Sequence, residues 1–281
     1  MRKKKKTPQY FIGKFFKFLL LAFFVIYTLF PLVWLFLTSI KSKKEMYNFP
    51  VEYWPDNPTL INYQEVLGMG NFGRYTLNSF LLALAVGAGA AIFSLMVAYV
   101  LARMQFKAKP LVMGLFLMTQ MLPGAAGFAP LYILMSRLGM VNKLTTVMII
   151  MIAGSITFGM FLQLGFLQSI PSALEDAAMI DGCGRMRMFR HVIIPLSKPG
   201  MFTVFIFQFL SGWNDVYTSV LYINDNKQKT LAVAIYSMIG TYDINWGNVA
   251  AGTTIAMIPA IILFTCMKDV FIENIGGAVK E

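Results

Sequence analysis

Few side chains in this sequence are placed to do covalent chemistry. Its one histidine, His191, sits among Arg185, Arg187 and Arg190 and reads as a surface group rather than a ligand or general base. Cys183 and Cys266 are far apart with no CxxC spacing, so free thiols are expected and no disulfide or metal site. There is no Gly-x-x-x-x-Gly-Lys-Ser/Thr phosphate loop and no His/Cys/carboxylate cluster suited to zinc, and no catalytic triad can be assembled. What remains is recognition chemistry, in two places. The first is Leu174, Glu175, Asp176, Ala177, Ala178, Asp181 and Gly182, a polar interlude between two apolar runs. Ser172 with Glu175 three residues on is a capping-box pattern that predicts a helix start. Leu174, Ala177, Ala178 and Asp181 then share one face, and Gly182 and Gly184 end the helix in a left-handed turn. A second short helix is expected from Arg185, with Met186, Phe189 and Ile193 on one side, before Pro195 and Pro199 break it. A stripe of small apolar residues held outside a membrane has no lipid to bury against and calls for a protein partner. The second place is Gln208, Trp213, Asn214 and Asp215. Trp213 and Asn214 suit stacking on, and hydrogen bonding to, a sugar. They equally suit the outer membrane interface, where Trp is common.

The elements that must position these residues are membrane spans. Of all residues 57% are hydrophobic and 13% charged, against about a quarter charged in soluble proteins. Six runs are long and apolar enough to cross a bilayer: 18–40, 75–102, 110–136, 144–166, 201–222 and 244–267. The fold class expected is therefore all-α and polytopic, with six transmembrane helices. The first run is too long for a signal-peptide core and no small-x-small cleavage site follows it, so a retained helix is expected. The net charge of +11 does not point to nucleic acid, because the basic residues lie in short tracts beside the apolar runs. With the N-terminus cytoplasmic, 16 of the 24 Lys and Arg fall inside and 8 outside, for net charges of +10 and +1. That places both termini and the Asp176 loop in the cytosol, although Lys41, Lys43 and Lys44 pull the other way.

The spacing Asp176-Ala177-Ala178, Gly182, then Val192-Ile193-Ile194-Pro195 resembles the Glu-Ala-Ala…Gly…Ile-x-Leu-Pro loop of ABC-importer permease subunits. Asp stands for Glu, and Val and Ile for Ile and Leu. Similar motifs run along the chain: Phe30-Pro31-Leu32-Val33-Trp34, Arg103-x-x-Phe106, Phe166 to Pro171, Trp213-Asn214-Asp215 and the ending Gly277-Ala278-Val279-Lys280. Together they resemble the maltose-type, MalG-like carbohydrate permeases. The resemblance implies the type I importer permease fold. It also implies a coupling helix that sits in a groove of a cytoplasmic ATPase, a second non-identical permease, two ATPase subunits and an external solute-binding protein. ATP and Mg would be bound by the ATPases, with no cofactor and no catalysis in this chain. Localisation in the cell membrane follows, with solute passing by alternating access. Related permeases carry glycerol phosphates, and a channel or an intramembrane glycosyltransferase is the rival class; the latter would need paired acids or metal ligands that Asp215 alone does not supply.

On this reading the chain divides into a basic leader (1–17), a first span (18–40), an outer loop (41–74), a five-helix core (75–270) containing the coupling loop (167–200), and a cytoplasmic tail (271–281). The outer stretch 48–63, rigid with prolines, is expected to cap the bundle, with contact to an outside partner the other reading. The resemblance implies that the stretch Asn224 to Tyr242 reaches toward the binding protein; its polar run Asn224 to Lys229 equally fits a plain solvated loop. Ala83, Gly87 and Ala91 form a small-xxx-small face for packing within the bundle. Pro123 and Pro130 leave static bending and a hinge both open for the third span.

Overall fold

The computed structural model describes residues 8–240 and 244–278, so the leader Arg2–Lys6, Tyr242 and the terminal Val279-Lys280 lie outside the described residues. Nine helices position the chain's functional parts: α1 (Pro8–Ser39), α2 (Phe72–Arg103), α3 (Lys109–Met121), α4 (Phe128–Arg137), α5 (Leu144–Ser169), α6 (Ala173–Ile180), α7 (Lys198–Trp213), α8 (Tyr217–Tyr222) and α9 (Trp246–Ala278). The chain forms two units, one of residues 1–70 and 238–257, the other of residues 71–237 and 258–281.

In the first unit, α1 is apolar on every side, and none of its described side chains before Leu37 is buried. Such a helix is built to meet lipid or another subunit. Its C-terminal end is pinned by polar contacts. Asn62 donates to the carbonyls of Ser39 (2.9 Å) and Lys41 (2.8 Å), and Ser39 shares a 2.7 Å hydrogen bond with Tyr63. Lys41 is 4% exposed, donates to the Glu52 carbonyl and lies 5.1 Å from the Trp34 ring centre. This lysine, which counts against the orientation tally, is thus held by a carbonyl and an indole face rather than solvated. Ser42 and Glu45 form a capping box at 3.4 and 3.2 Å, and Asn57 N–H donates to the same carboxylate at 3.0 Å. Desolvation raises the pKa of Glu45, but the Ser42 and Asn57 N–H groups outweigh it and hold the carboxyl below its ordinary 4.5. Within the stretch 48–63, Phe49 is 95% and Trp54 72% exposed, while Tyr63 is half-buried beside Ser39.

In the second unit α2 packs most extensively on α5 and then on α7. Small residues make the crossings close. A methyl added at Gly87 would meet the Phe205 carbonyl at 2.9 Å, and one at Gly212 would lie 3.0 Å from the Ala83 Cα. The Ala83–Gly87–Ala91 face is buried here. Polar side chains tie the helices together: Gln163 donates to the Ala91 carbonyl (2.8 Å) and to Ser94 (2.6 Å), and Thr119 and Thr157 share a 3.2 Å hydrogen bond. With no water at this depth, such groups must find partners within the protein.

The six expected runs are not six continuous helices. Among the described residues four helices are long and apolar enough to cross a membrane, or five if a pair bent by 71° (Arg185–Leu196 with α7) counts as one. The run 110–136 is split because Pro123 has no N–H to continue α3; a 3-10 turn at Gly124–Gly127 follows, then α4, where Pro130 falls in the first turn and interrupts no helical bond. The run 201–222 is split too. α7 starts early, with Pro199 in its first turn, and stops at Trp213, so its 16 residues reach only about 24 Å.

Candidate functional site

The region from Ile170 to Ile194 is the site the sequence singles out. α5 ends where it does because Ile170 precedes Pro171, which pushes it to extended backbone (φ −85°, ψ 120°). α6 then runs from Ala173 to Ile180. It closes with a pair of bonds, Gly182 N–H to the Met179 carbonyl and Cys183 N–H to the Ala178 carbonyl, both 3.0 Å, around Gly182 at φ +81°. After Gly184 come a turn of helix (Arg185–Met188), a π-turn (Phe189–Ile193) and Ile194–Leu196. Met188 and Ile193 are buried in one cluster with Leu95, Ala98, Tyr99, Met160, Leu164 and Leu167, so the loop sits on the ends of α2 and α5. Met186, expected on one side with Phe189 and Ile193, is 79% exposed, and Met188 is the buried methionine of this turn, at 3%.

The capping box expected at Ser172 and Glu175 is not formed: Ser172 has helical backbone and its side chain makes no cap bond. Glu175 turns inward, 6% exposed. Arg103 Nε donates to its Oε1 at 2.5 Å, Tyr99 hydroxyl lies 3.4 Å from its Oε2, and Arg103 Nη2 donates to the Ile170 carbonyl at 2.7 Å. A full opposite charge outcompetes a backbone amide for the carboxylate. Removing either charge would strand the other, at a cost of about 3 kcal/mol. Ala178 also turns inward, half-buried against the cluster. The outward face is therefore Ala173, Asp176, Ala177 and Ile180, at i, i+3, i+4 and i+7, all exposed and Ile180 the most, at 86%. Leu174 and Met179 flank it, 46% and 50% exposed, and Asp181 and Gly182 are exposed at its end. A helix face of small residues, one acid and an exposed isoleucine, left bare in this way, is of the kind that buries against a protein partner. Cys183 is a free, half-buried thiol and His191 is exposed, its Nδ1 3.0 Å from the Arg187 carbonyl.

The sequence pattern of the binding-protein-dependent transport system inner membrane components matches residues 90–276, from α2 through the loop into α9. The chain belongs to that family. It is 29% identical over 273 residues to the sulfoquinovosyl glycerol transport permease SmoH of Agrobacterium fabrum, covering 97% of this chain and 96% of that one. It is 31% identical over 252 residues to the melibiose/raffinose/stachyose import permease MelC of Bacillus subtilis, covering 89% and 91%. A chain of a bacterial ABC transporter involved in import of the acidic polysaccharide alginate superposes with a TM-score of 0.80, over 95% of this chain and 99% of its own, at 20% identity, and so shares the fold. This family member is a multi-pass membrane protein and a transport component.

The other candidate residues lie on and just after α7. Gln208 is 8% exposed and accepts from Ser155 at 2.6 Å, a bond between helices. Trp213 is 4% exposed and stacks on Phe209, the ring centres 6.4 Å apart. Asn214 ends α7 and is exposed. Asp215 accepts from Thr218 N–H (3.3 Å), Ser219 N–H (2.8 Å) and Ser219 hydroxyl (2.8 Å), and so caps the start of α8. Of the four, Asn214 alone combines exposure with an amide free of a structural hydrogen bond in the described contacts; the other three have structural work. What the sequence reading missed is the joining of Tyr99 and Arg103 to Glu175 and of Arg103 to the Ile170 carbonyl. The signal was a lone arginine ending a long apolar run.

Proposed function

We propose that this chain is one permease half of an ATP-driven importer for a sugar or oligosaccharide, and that α6 is its ATPase-docking helix. The observation that carries the reading is the bare Ala173–Asp176–Ala177–Ile180 face on a helix fixed to the spans, in a chain of a binding-protein-dependent transport family. ATP and Mg are bound by two cytoplasmic ATPase subunits, and their closure pushes on α6. A second, non-identical permease completes the path, and an external binding protein delivers solute to it. Alternating access follows when the push on α6 reorients α2, α5 and α7. Both termini and the loop are cytoplasmic, an orientation supported by the excess of inside lysine and arginine. This chain performs no bond chemistry; its part is to bind, fit and move. The identity of relatives such as MelC supports a glycoside as solute, and a glycerol phosphate is the alternative.

The test is ATP hydrolysis by the affinity-purified complex in proteoliposomes, with raffinose or glycerol 3-phosphate added together with the cognate binding protein. The reading expects an ATPase to co-purify and hydrolysis to rise with the sugar. Stimulation by glycerol 3-phosphate alone would replace the sugar, and absence of any bound ATPase would overturn the docking role.

A further inference from the structure

The loop is held to the spans in two different ways. Met188, Ile193 and the half-buried Ala178 rest on apolar surface, a contact that permits small sliding. Arg103 is different. It is the last residue of α2, and its planar guanidinium makes two directed bonds at once, to Glu175 on the inner face of α6 and to the carbonyl of Ile170, where α5 gives way to the loop. One side chain thus joins the ends of three elements. One turn back on α2, Tyr99 reaches the second oxygen of Glu175 and sets its ring 5.1 Å from that of Phe189. Charge-assisted bonds of fixed geometry resist the shear that apolar contacts allow. Glu175 is 6% exposed, so these bonds are made out of reach of most solvent.

We propose that Arg103 is a positioning residue that yokes α6 to α2 and α5, so that the docking helix and the two spans move as one body throughout the transport cycle. The proposal rests on α6 being the ATPase-docking helix, and it adds how displacement of that helix reaches the membrane. Lysine at 103 keeps the charge but lacks the fork, so it can hold Glu175 or the Ile170 carbonyl, not both.

The experiment uses the assembled complex, with Cys183 and Cys266 replaced by Ser, and reads solute uptake and ATP hydrolysis side by side. Arg103→Ala should lower the solute moved per ATP about tenfold while hydrolysis stays within about twofold of wild type. Arg103→Lys should fall between them. The pair Arg103→Cys with Glu175→Cys should behave as Arg103→Ala when reduced and regain transport when bridged by a short bifunctional thiosulfonate, because a permanent link replaces a bond that never opens. Reducing agent should then remove the gain. A bridged protein that hydrolyses ATP but stays inactive in uptake would show that the two residues must part during the cycle, and would overturn the proposal. So would an Arg103→Ala protein with the wild-type ratio. If Arg103→Ala is absent from the membrane, Arg103→Lys and the bridged pair decide in the same way. Failure of the docking reading is separate and visible in the unmutated complex, as absence of a bound ATPase.

Discussion

Gly182→Val is expected to abolish coupled uptake, with the protein still present in the membrane. Gly182 sits at φ +81°, in the left-handed region, and a Cβ built there meets nothing within 4 Å. The obstacle is backbone conformation, not space. A β-branched residue in that region costs about 2–3 kcal/mol, and the chain relieves the strain by opening the turn. The bonds lost are those from Gly182 and Cys183 N–H groups to Met179 and Ala178. They set the direction in which the chain leaves α6, so opening them releases its exposed face from its place at the ends of α2 and α5. Gly182→Asn, which tolerates left-handed backbone, should retain most uptake. Uptake and membrane abundance measured for the two variants check this. Equal losses for Val and Asn would point to a requirement for glycine itself, at the partner's surface.

Gly212→Leu is expected to remove the protein from the membrane fraction. A Cβ at this position would lie 3.0 Å from the Ala83 Cα, which is backbone of α2 and has no rotamer to yield. Overpacking of this kind costs about 1–3 kcal/mol, occasionally more, and it falls on the α2–α7 crossing, one of the two most extensive in the second unit. Gly165→Leu is the matched control, since a Cβ there meets nothing within 4 Å and faces open space. Immunoblots of membranes should show the first variant depleted and the second near normal. Near-normal levels of both would mean that α2 and α7 are not held at this separation.

Much of this was legible before any coordinates. α2 and α5 coincide closely with apolar runs, because hydropathy reports the one thing a lipid-facing helix must satisfy. The bounds of α6 and its left-handed glycine follow from Pro171, Gly182 and the small residues between them. For the third run the prolines left a bend or a hinge open but not a full break at Pro123, and the break of the fifth at Asn214-Asp215 was not seen. A run's mean apolarity is blind to a missing N–H or to a carboxylate that prefers to cap the next helix. The capping boxes teach the same lesson. Ser42-x-x-Glu45 forms one and Ser172-x-x-Glu175 does not, though the local patterns are identical. The difference is Arg103, 72 residues away from Glu175, and no local pattern carries a partner so distant. The same inward turn of Glu175 rotates the docking face by about one residue from Leu174–Ala177–Ala178–Asp181 to Ala173–Asp176–Ala177–Ile180.

All of the functional reading depends on α6 presenting Ile180 to an ATPase in the cytosol. A single cysteine at that position, Ile180→Cys with Cys183→Ser and Cys266→Ser, can be probed with a membrane-impermeant maleimide in inverted vesicles and in intact cells. Labelling is expected in inverted vesicles stripped of ATPase, with protection when the ATPase is restored and none of the label entering from outside intact cells. Labelling from the cell exterior, or labelling in inverted vesicles that restored ATPase leaves unchanged, would contradict it.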